Sequence, residues 1–265
     1  MAVVSPPMRV LVTGASGFIG GHLCPALAAT GHEPCSSPEE CDAVVHLANV
    51  AHAAVGEAEL QRVNVDGTRR QAEKAAVAGV RRFVYLSSAK AAAPDDVYGR
   101  AKHAAEQALA RVSGLEVVVL RPPLVYGPRV KANFLALMRA IARGWPLPFA
   151  CIENRRSLIY VGNLCDAIIR CLEAPQAVGR TYLVSDGEPV STPQLCRALG
   201  RALRRPARLF PFPLRLLELH PGLRRLTRSL EVDDSAIRSE LGWRSPYAFE
   251  QGLQATAEWY LERGG

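Results

Sequence analysis

The chain has no apolar run approaching the ~20 residues a membrane-spanning helix requires. Its opening, MAVVSPPM, lacks the basic start and apolar centre of a secretory leader. Both absences point to a cytoplasmic protein with no membrane partner. Cysteine is present seven times, at Cys24, Cys35, Cys41, Cys151, Cys165, Cys171 and Cys196, but without a C-x-x-C pair or neighbouring histidines. Odd parity and scattered spacing speak against a disulfide framework and against a metal site. Lysine is scarce: only Lys74, Lys90, Lys102 and Lys131 occur, so arginine supplies nearly all of a net charge of +7. Aromatics are only 6% of the chain and do not interleave with the basic residues, which removes most of a nucleic-acid footprint. The surplus positive charge instead suits a small anionic ligand.

What is present is an α/β pattern in 265 residues that are 49% hydrophobic, enough for one domain with a smaller second lobe. The pattern is organised around Arg9 to Leu23, RVLVTGASGFIGGHL. An apolar run meets glycines at Gly14, Gly17 and Gly20 and passes into an apolar-periodic segment, so strand, tight turn and helix follow in order. Glycines let the backbone approach a ligand closely, and the free N–H groups of the helix start favour a pyrophosphate. The spacing G-x-x-G-x-x-G departs from the G-x-G-x-x-G of the familiar dinucleotide turn. Pro25 falls inside the helix and is expected to kink or end it.

Only HEPCSSPEEC separates Gly31 from the next apolar run, Asp42 to Ala48. A crossover between parallel strands needs a dozen or more residues, so one β-α unit is expected to be missing here, the strand that reads the adenosine ribose included. Weakened cofactor affinity would follow. Further on, helical periodicity over Glu57 to Ala78, a strand at Phe83 to Leu86, a helix from Val97 to Val112 and a strand at Glu116 to Leu120 complete a βαβαβαβ alternation. A helix near Asn133 to Arg143, strands at Ser157 to Val161 and Thr181 to Val184, and helices at Asn163 to Leu172 and Thr192 to Leu203 follow. The segment LRLLELHPGLRRLTRSL is amphipathic and basic, and packing on the second lobe is favoured over a membrane surface. The expected division is 1–125 with 157–185 for a nucleotide-binding domain, and 126–156 with 186–265 for a substrate lobe.

Residues that follow the strands at their carboxyl ends share one crevice in such sheets, which brings Ser87, Ser88, Tyr98 and Lys102 forward. Tyr98 and Lys102 are four apart and share a helix face. An ammonium beside a phenol lowers its pKa from the usual ~10, making Tyr98 an acid/base, with Ser88 placed to hold a substrate oxygen. The distance from Ser88 to Tyr98 leaves room for only a small lid.

Seven segments together resemble one family: TGASGFIG, DAVVHLA, NVDGT, YLSS, YGRAK, LRPPLVYGP and SLIYVGNLCDAI. The chain resembles the extended short-chain dehydrogenase/reductases, the NAD-dependent epimerase/dehydratase family, most of all the bacterial UDP-hexosamine 4-epimerases and 4-keto-6-deoxy reductases. The resemblance implies a Rossmann-type parallel sheet, shortened after the first helix, with a small C-terminal substrate lobe. It implies Tyr98 as acid/base, Lys102 on the nicotinamide ribose and Ser88 on the reacting oxygen. NAD or NADP, NAD ahead, would contact Gly14, Gly17, Phe18, Ile19, Gly20, Leu47, Ala48, Asn64, Lys102 and Pro122. Asn133 and Arg156, with Ser88, would hold a UDP-sugar, an arginine fork matching a diphosphate. It further implies chemistry at C4 in surface-polysaccharide synthesis, and a homodimer through the helices at 57–78 and 97–112. Two other readings stay open: a nucleotide-sugar-binding paralogue without turnover, and a reductase of a non-nucleotide carbonyl.

Overall fold

The computed structural model describes residues 6–50, 56–219 and 221–263. In chain order the elements are β1 (Arg9–Thr13), α1 (Gly20–Ala29), β2 (Glu33–Pro34), β3 (Ala43–His46), α2 (Glu57–Leu60), α3 (Gly67–Val77), β4 (Arg82–Leu86), α4 (Val97–Leu109), β5 (Glu116–Arg121) and β6 (Leu124–Tyr126). There follow α5 (Ala132–Ala142), β7 (Pro146–Leu147), β8 (Leu158–Tyr160), α6 (Val161–Glu173), β9 (Thr181–Leu183), α7 (Thr192–Ala202), β10 (Arg208–Leu209), α8 (Leu214–Glu218), α9 (Pro221–Thr227), α10 (Ser235–Leu241) and α11 (Phe249–Glu262). The chain divides into two compact units: 1–123 with 164–184 and 233–244, and 124–163 with 185–232 and 245–265.

The first unit is built on a six-stranded sheet in the order β2-β1-β3-β4-β5-β9, every pairing parallel. Every residue of β3 and β4 is buried, the signature of central strands covered on both faces. α3 turns Thr68, Ala72 and Ala75 inward, and α4 turns Ala101, Lys102, Ala105 and Leu109 inward. Small alanines on both helices allow close packing on Val44, Phe83, Tyr85 and Val119. β1 has β2 on one side and β3 on the other, so successive connections diverge there and open a crevice at the carboxyl ends of β1 and β3.

Four expectations need correction. The strand after the first helix is present, reduced to Glu33–Pro34 and paired with Arg9–Val10 of β1. What is missing is the following helix and its strand: a single 3₁₀ turn at Pro38–Glu40 takes the chain directly to β3. Cys35 and Cys41 are joined by a disulfide across this short connection, a pairing that parity and spacing could not indicate. Pro25 does not end α1, which continues to Ala29 with Leu23 and Leu27 buried one turn apart. The long helix expected at 57–78 is interrupted by a π-helical turn at Gln61–Asp66 between α2 and α3.

The divisions also differ from those expected. Residues 233–244 pack with the first unit because the Trp243 indole donates to Asp166, Arg170 donates to the Leu241 carbonyl, and Tyr182 donates to Glu240. Residues 157–163 fall in the second unit, where β8 pairs with β6. There Asp186 gathers the Tyr126 hydroxyl, the Tyr160 amide and the Asn163 side chain, and Asn163 closes on the Tyr247 backbone in both directions.

Candidate active site

The turn after β1 is compact. Gly14 has φ +75°, and a Cβ on it would sit 3.0 Å from the Ala48 nitrogen. A Cβ on Gly20 would lie 2.4 Å from the Gly14 carbonyl, so only glycine lets the start of α1 fold back onto the turn. Residues 14–17 are exposed while Gly20 is buried, presenting a bare backbone surface at a helix start. Pyrophosphate oxygens fit such a cradle.

Behind it runs a chain of side chains that the sequence did not reveal. The Ala48 amide lies 3.4 Å from the Thr13 hydroxyl, which is 2.7 Å from His46 Nδ1. His46 Nε2 is 3.1 Å from the Thr68 hydroxyl, which donates to the Asn64 carbonyl at 2.7 Å. Because Thr68 spends its proton on that carbonyl, His46 donates from Nε2 and accepts from Thr13 at Nδ1. Burial, helped by the charge of Lys102, lowers the His46 pKa to about 3, so the ring is neutral at ordinary pH. The Asn64 side chain both donates to the Val50 carbonyl (2.9 Å) and accepts from its amide (2.8 Å). Thus Asn64, on the π-helical turn, fixes the loop that carries Leu47 and Ala48 away from β3.

Ser87 and Ser88 leave β4 together. The Ser87 hydroxyl bonds Glu106 of α4, which is paired in turn with Arg121 of β5. Ser88 accepts from the Lys90 amide at 3.3 Å and starts a short 3₁₀ turn. The connection to α4 is clamped at both ends: Lys90 pairs with Asp96, and Asp96 caps α4 by accepting from the Gly99 amide at 2.7 Å. A Cβ at Gly99 would meet the Lys90 carbonyl at 2.7 Å, so this glycine lets the small lid lie against the helix.

Tyr98 packs with Leu60, Val65 and Ala101. Its phenol is pushed up to about 12 by burial, with Asp96 adding to the shift, so the expected lowering by Lys102 is corrected. The reason is that the Lys102 ammonium is engaged elsewhere. It donates to the Leu86 carbonyl at 2.7 Å and stands 4.7 Å over the Tyr85 ring. Lys102 is 1% exposed, and burial brings its pKa down to about 7, against a smaller upward pull from Glu106. Pro122 closes this group: its carbonyl accepts from the Ala89 amide at 2.8 Å.

The sequence profile of the NAD dependent epimerase/dehydratase family matches residues 34–185. A UDP-glucose 4-epimerase of Vibrio cholerae is 35% identical, covering 97% of this chain and 96% of its own length. The chain belongs to the NAD dependent epimerase/dehydratase family. That alignment runs over 316 positions, longer than this chain, so the relative carries residues this family member lacks. In structure, UDP-N-acetylglucosamine 4-epimerase from Bacillus cereus superposes with TM-score 0.82 at 20% identity, over 97% of this chain and 100% of that one. RMD from Pseudomonas aeruginosa, complexed with NADPH, gives TM-score 0.77 at 25% identity, over 97% and 100% of the two chains. This epimerase/dehydratase is therefore an NAD(P)-dependent enzyme of the extended short-chain dehydrogenase type, and its glycine cradle fits that cofactor.

The two diphosphate candidates lie in the second unit. Asn133 is exposed on the first turn of α5. Arg156 is turned to backbone: it donates to the Arg225 carbonyl and, at 3.1 Å, to that of Arg228. Among the described residues, no helix is long and apolar enough to cross a membrane.

Proposed function

We propose that this enzyme interconverts a hydroxyl and a carbonyl at C4 of a UDP-hexose or UDP-hexosamine, in the making of a surface polysaccharide. The observation that supports the reading is the segment after β4, where Ser88 starts a short turn leading into α4, which carries Tyr98 and Lys102. Lys102 lies near enough to His46 of the buried polar chain for its charge to act on it. The likeness to a UDP-glucose 4-epimerase over nearly the whole chain supports the sugar class.

Gly14, Gly17, Phe18, Ile19 and Gly20 would hold the cofactor's pyrophosphate, Leu47, Ala48 and Pro122 its nicotinamide half, and Lys102 the ribose. NAD(P), when bound, supplies or accepts the hydride. The Tyr98 phenol, protonated at neutral pH, gives its proton to the oxygen at C4 on reduction and takes one back on oxidation. Ser88 orients that oxygen by hydrogen bonding. Lys102, held on the Leu86 carbonyl, would serve the cofactor's ribose rather than the phenol. Asn133 and Arg156 would bind the diphosphate, Arg156 by exchanging its carbonyl partners for phosphate oxygens.

The test is to mix purified protein with NADH or NADPH and then with a UDP-4-keto-6-deoxy-hexosamine, and, in a separate reaction, with oxidised NAD and UDP-glucose. Loss of reduced-nicotinamide absorbance, or appearance of UDP-galactose, is expected, and neither with Tyr98→Phe. Failure with both substrates, despite cofactor binding by calorimetry, rejects the C4 reading. A second reading, a reductase of a non-nucleotide carbonyl, is favoured by the engagement of Arg156 with backbone. Thermal shift separates the two, since a UDP-sugar that binds only the folded state raises its melting temperature.

A further inference from the structure

The net charge of this protein is concentrated in one stretch. Residues 197–228 contain nine arginines and one acid, Glu218, a surplus of eight, which leaves the remainder of the chain one charge below neutral. The same stretch carries exposed apolar side chains. Ten large hydrophobic residues are exposed among the described residues, and four lie within ten positions of each other: Phe210, Leu214, Leu216 and Leu219, the last at 77%. A fifth, Trp145, is tied to them, because β7 follows it directly and pairs with β10, and the Gly144 carbonyl accepts from Arg208.

The amphipathic segment that was expected to pack its leucines on the second lobe does so with one of them in α8. Leu217 is 3% exposed, while Leu214, Leu216 and Leu219 around it face outward. The segment is held from behind. Thr227 of α9 donates to Glu218 of α8, Asn154 and Thr192 both donate to the Leu226 carbonyl, and the Leu230 amide donates to Arg155. Exposed leucines on and just after α8 thus stand in the chain beside Arg215 of α8 and Arg224 and Arg225 of α9.

We propose that this patch docks reversibly on an anionic lipid surface, with Phe210, Leu214, Leu216 and Leu219 entering the headgroup boundary and the surrounding arginines pairing with lipid phosphates. Apolar side chains on a basic, non-spanning segment match that surface. Arginine heads reach phosphate in a forked geometry that lysine lacks, and this stretch has no lysine. A second copy of the chain is disfavoured as the occupant, since it would bring the same surplus of eight charges against its twin. A nucleic acid would use the arginines and leave the leucines in water. The inference stands independently of which sugar the active site takes.

The test is co-sedimentation of the full chain with vesicles of phosphatidylcholine alone and of phosphatidylcholine mixed with phosphatidylglycerol. Binding to the mixed vesicles is expected, weakened by salt and at least about tenfold weaker for phosphatidylcholine alone. The combined variant Leu214→Ser, Leu216→Ser, Leu219→Ser should lose at least about tenfold in vesicle affinity while keeping its circular dichroism spectrum. Arg215→Glu should lose several-fold. Val77→Ser, an exposed apolar residue on α3, should change nothing. The proposal is overturned if wild type ignores both vesicles, if the leucine variant binds them undiminished, or if that variant turns a wild-type dimer into a monomer. Retention of RNA binding by the leucine variant in the absence of vesicle binding by wild type would equally overturn it.

Discussion

The two ends of the parallel sheet each bury one cation, and they treat it oppositely. At the amino ends, Arg82 opens β4 and is 5% exposed, yet it is fully occupied. It bonds Glu116 through two nitrogens and donates to the carbonyls of Cys171, Leu172 and Ala174, where α6 ends. At the carboxyl ends, Lys102 is as deeply buried and has one carbonyl and one ring face. The fork of a guanidinium lets one residue satisfy a helix end and a carboxylate together, and this is structural use of charge. A single buried ammonium has its pKa brought down to about 7 by burial instead, the kind of shift that functional sites carry. Even the cavity follows the division: an opening of about 920 Å³, lined by Met8, Cys41, Asp42, Arg81 and Glu116, lies at the amino ends, away from Ser88 and Tyr98.

The comparison breaks most visibly if the carboxyl end is removed chemically without structural cost. Tyr98→Phe should lower turnover by about 10³-fold, within the range for an acid/base group, and leave the melting temperature within a few degrees. Steady-state kinetics beside a thermal melt would show it. Arg82→Met should do the reverse, costing about 3 kcal/mol in urea unfolding because three carbonyls lose their donor and Glu116 is left with Arg81 alone, with turnover of the folded protein retained.

Lys102→Met sharpens the contrast through pH. The folded pKa of about 7 lies below the ordinary 10.5, so the folded state binds fewer protons than the unfolded state between these values. Wild type therefore loses stability as pH falls from about 10 to 7, and the loss is constant below that. The variant should be the more stable by roughly 2 kcal/mol at pH 6, with the difference fading toward pH 10, although it is inactive. A melt series over that range decides. The smallest effect is expected from Cys41→Ser, which opens a short disulfide loop beside the amino-end cavity. It should cost about 1–2 kcal/mol and leave turnover unchanged. A change in cofactor affinity would mean that the connection after β2 serves both ends.

The parts of this site that were legible in the sequence are those whose chemistry is local. Gly14, Gly17 and Gly20 lie within one turn, and Tyr98 and Lys102 within one helical step, so spacing alone places them. His46, Thr68 and Thr13 were not legible because their partners are 22 and 33 positions away and only strand register, for Thr13 with His46, and packing of a helix on the sheet, for Thr68, bring them together. Glu106 with Arg121 was missed for the same reason. The direction of the Tyr98 shift was misread because burial, which raises the phenol, comes from tertiary packing and cannot be read from a neighbour four residues on. β2 escaped because two residues carry no periodicity.

The π-helical turn at Gln61–Asp66 sets a frame for everything after it. Each helical residue turns the face by about 100°, and the wide turn already takes up one residue more than an α-helical turn would, so one further residue inserted here would rotate α3 by that angle. Thr68, Ala72 and Ala75 would leave the sheet, and Arg69 and Glu73, now exposed, would be driven toward it. A one-residue insertion here is thus expected to be worse than any single substitution in the turn, whereas deletion of one residue lets the turn close to α-helical geometry with α3 in place. The widened turn acts as a phase adjuster, matching the step of the helix to the position that Asn64 must hold.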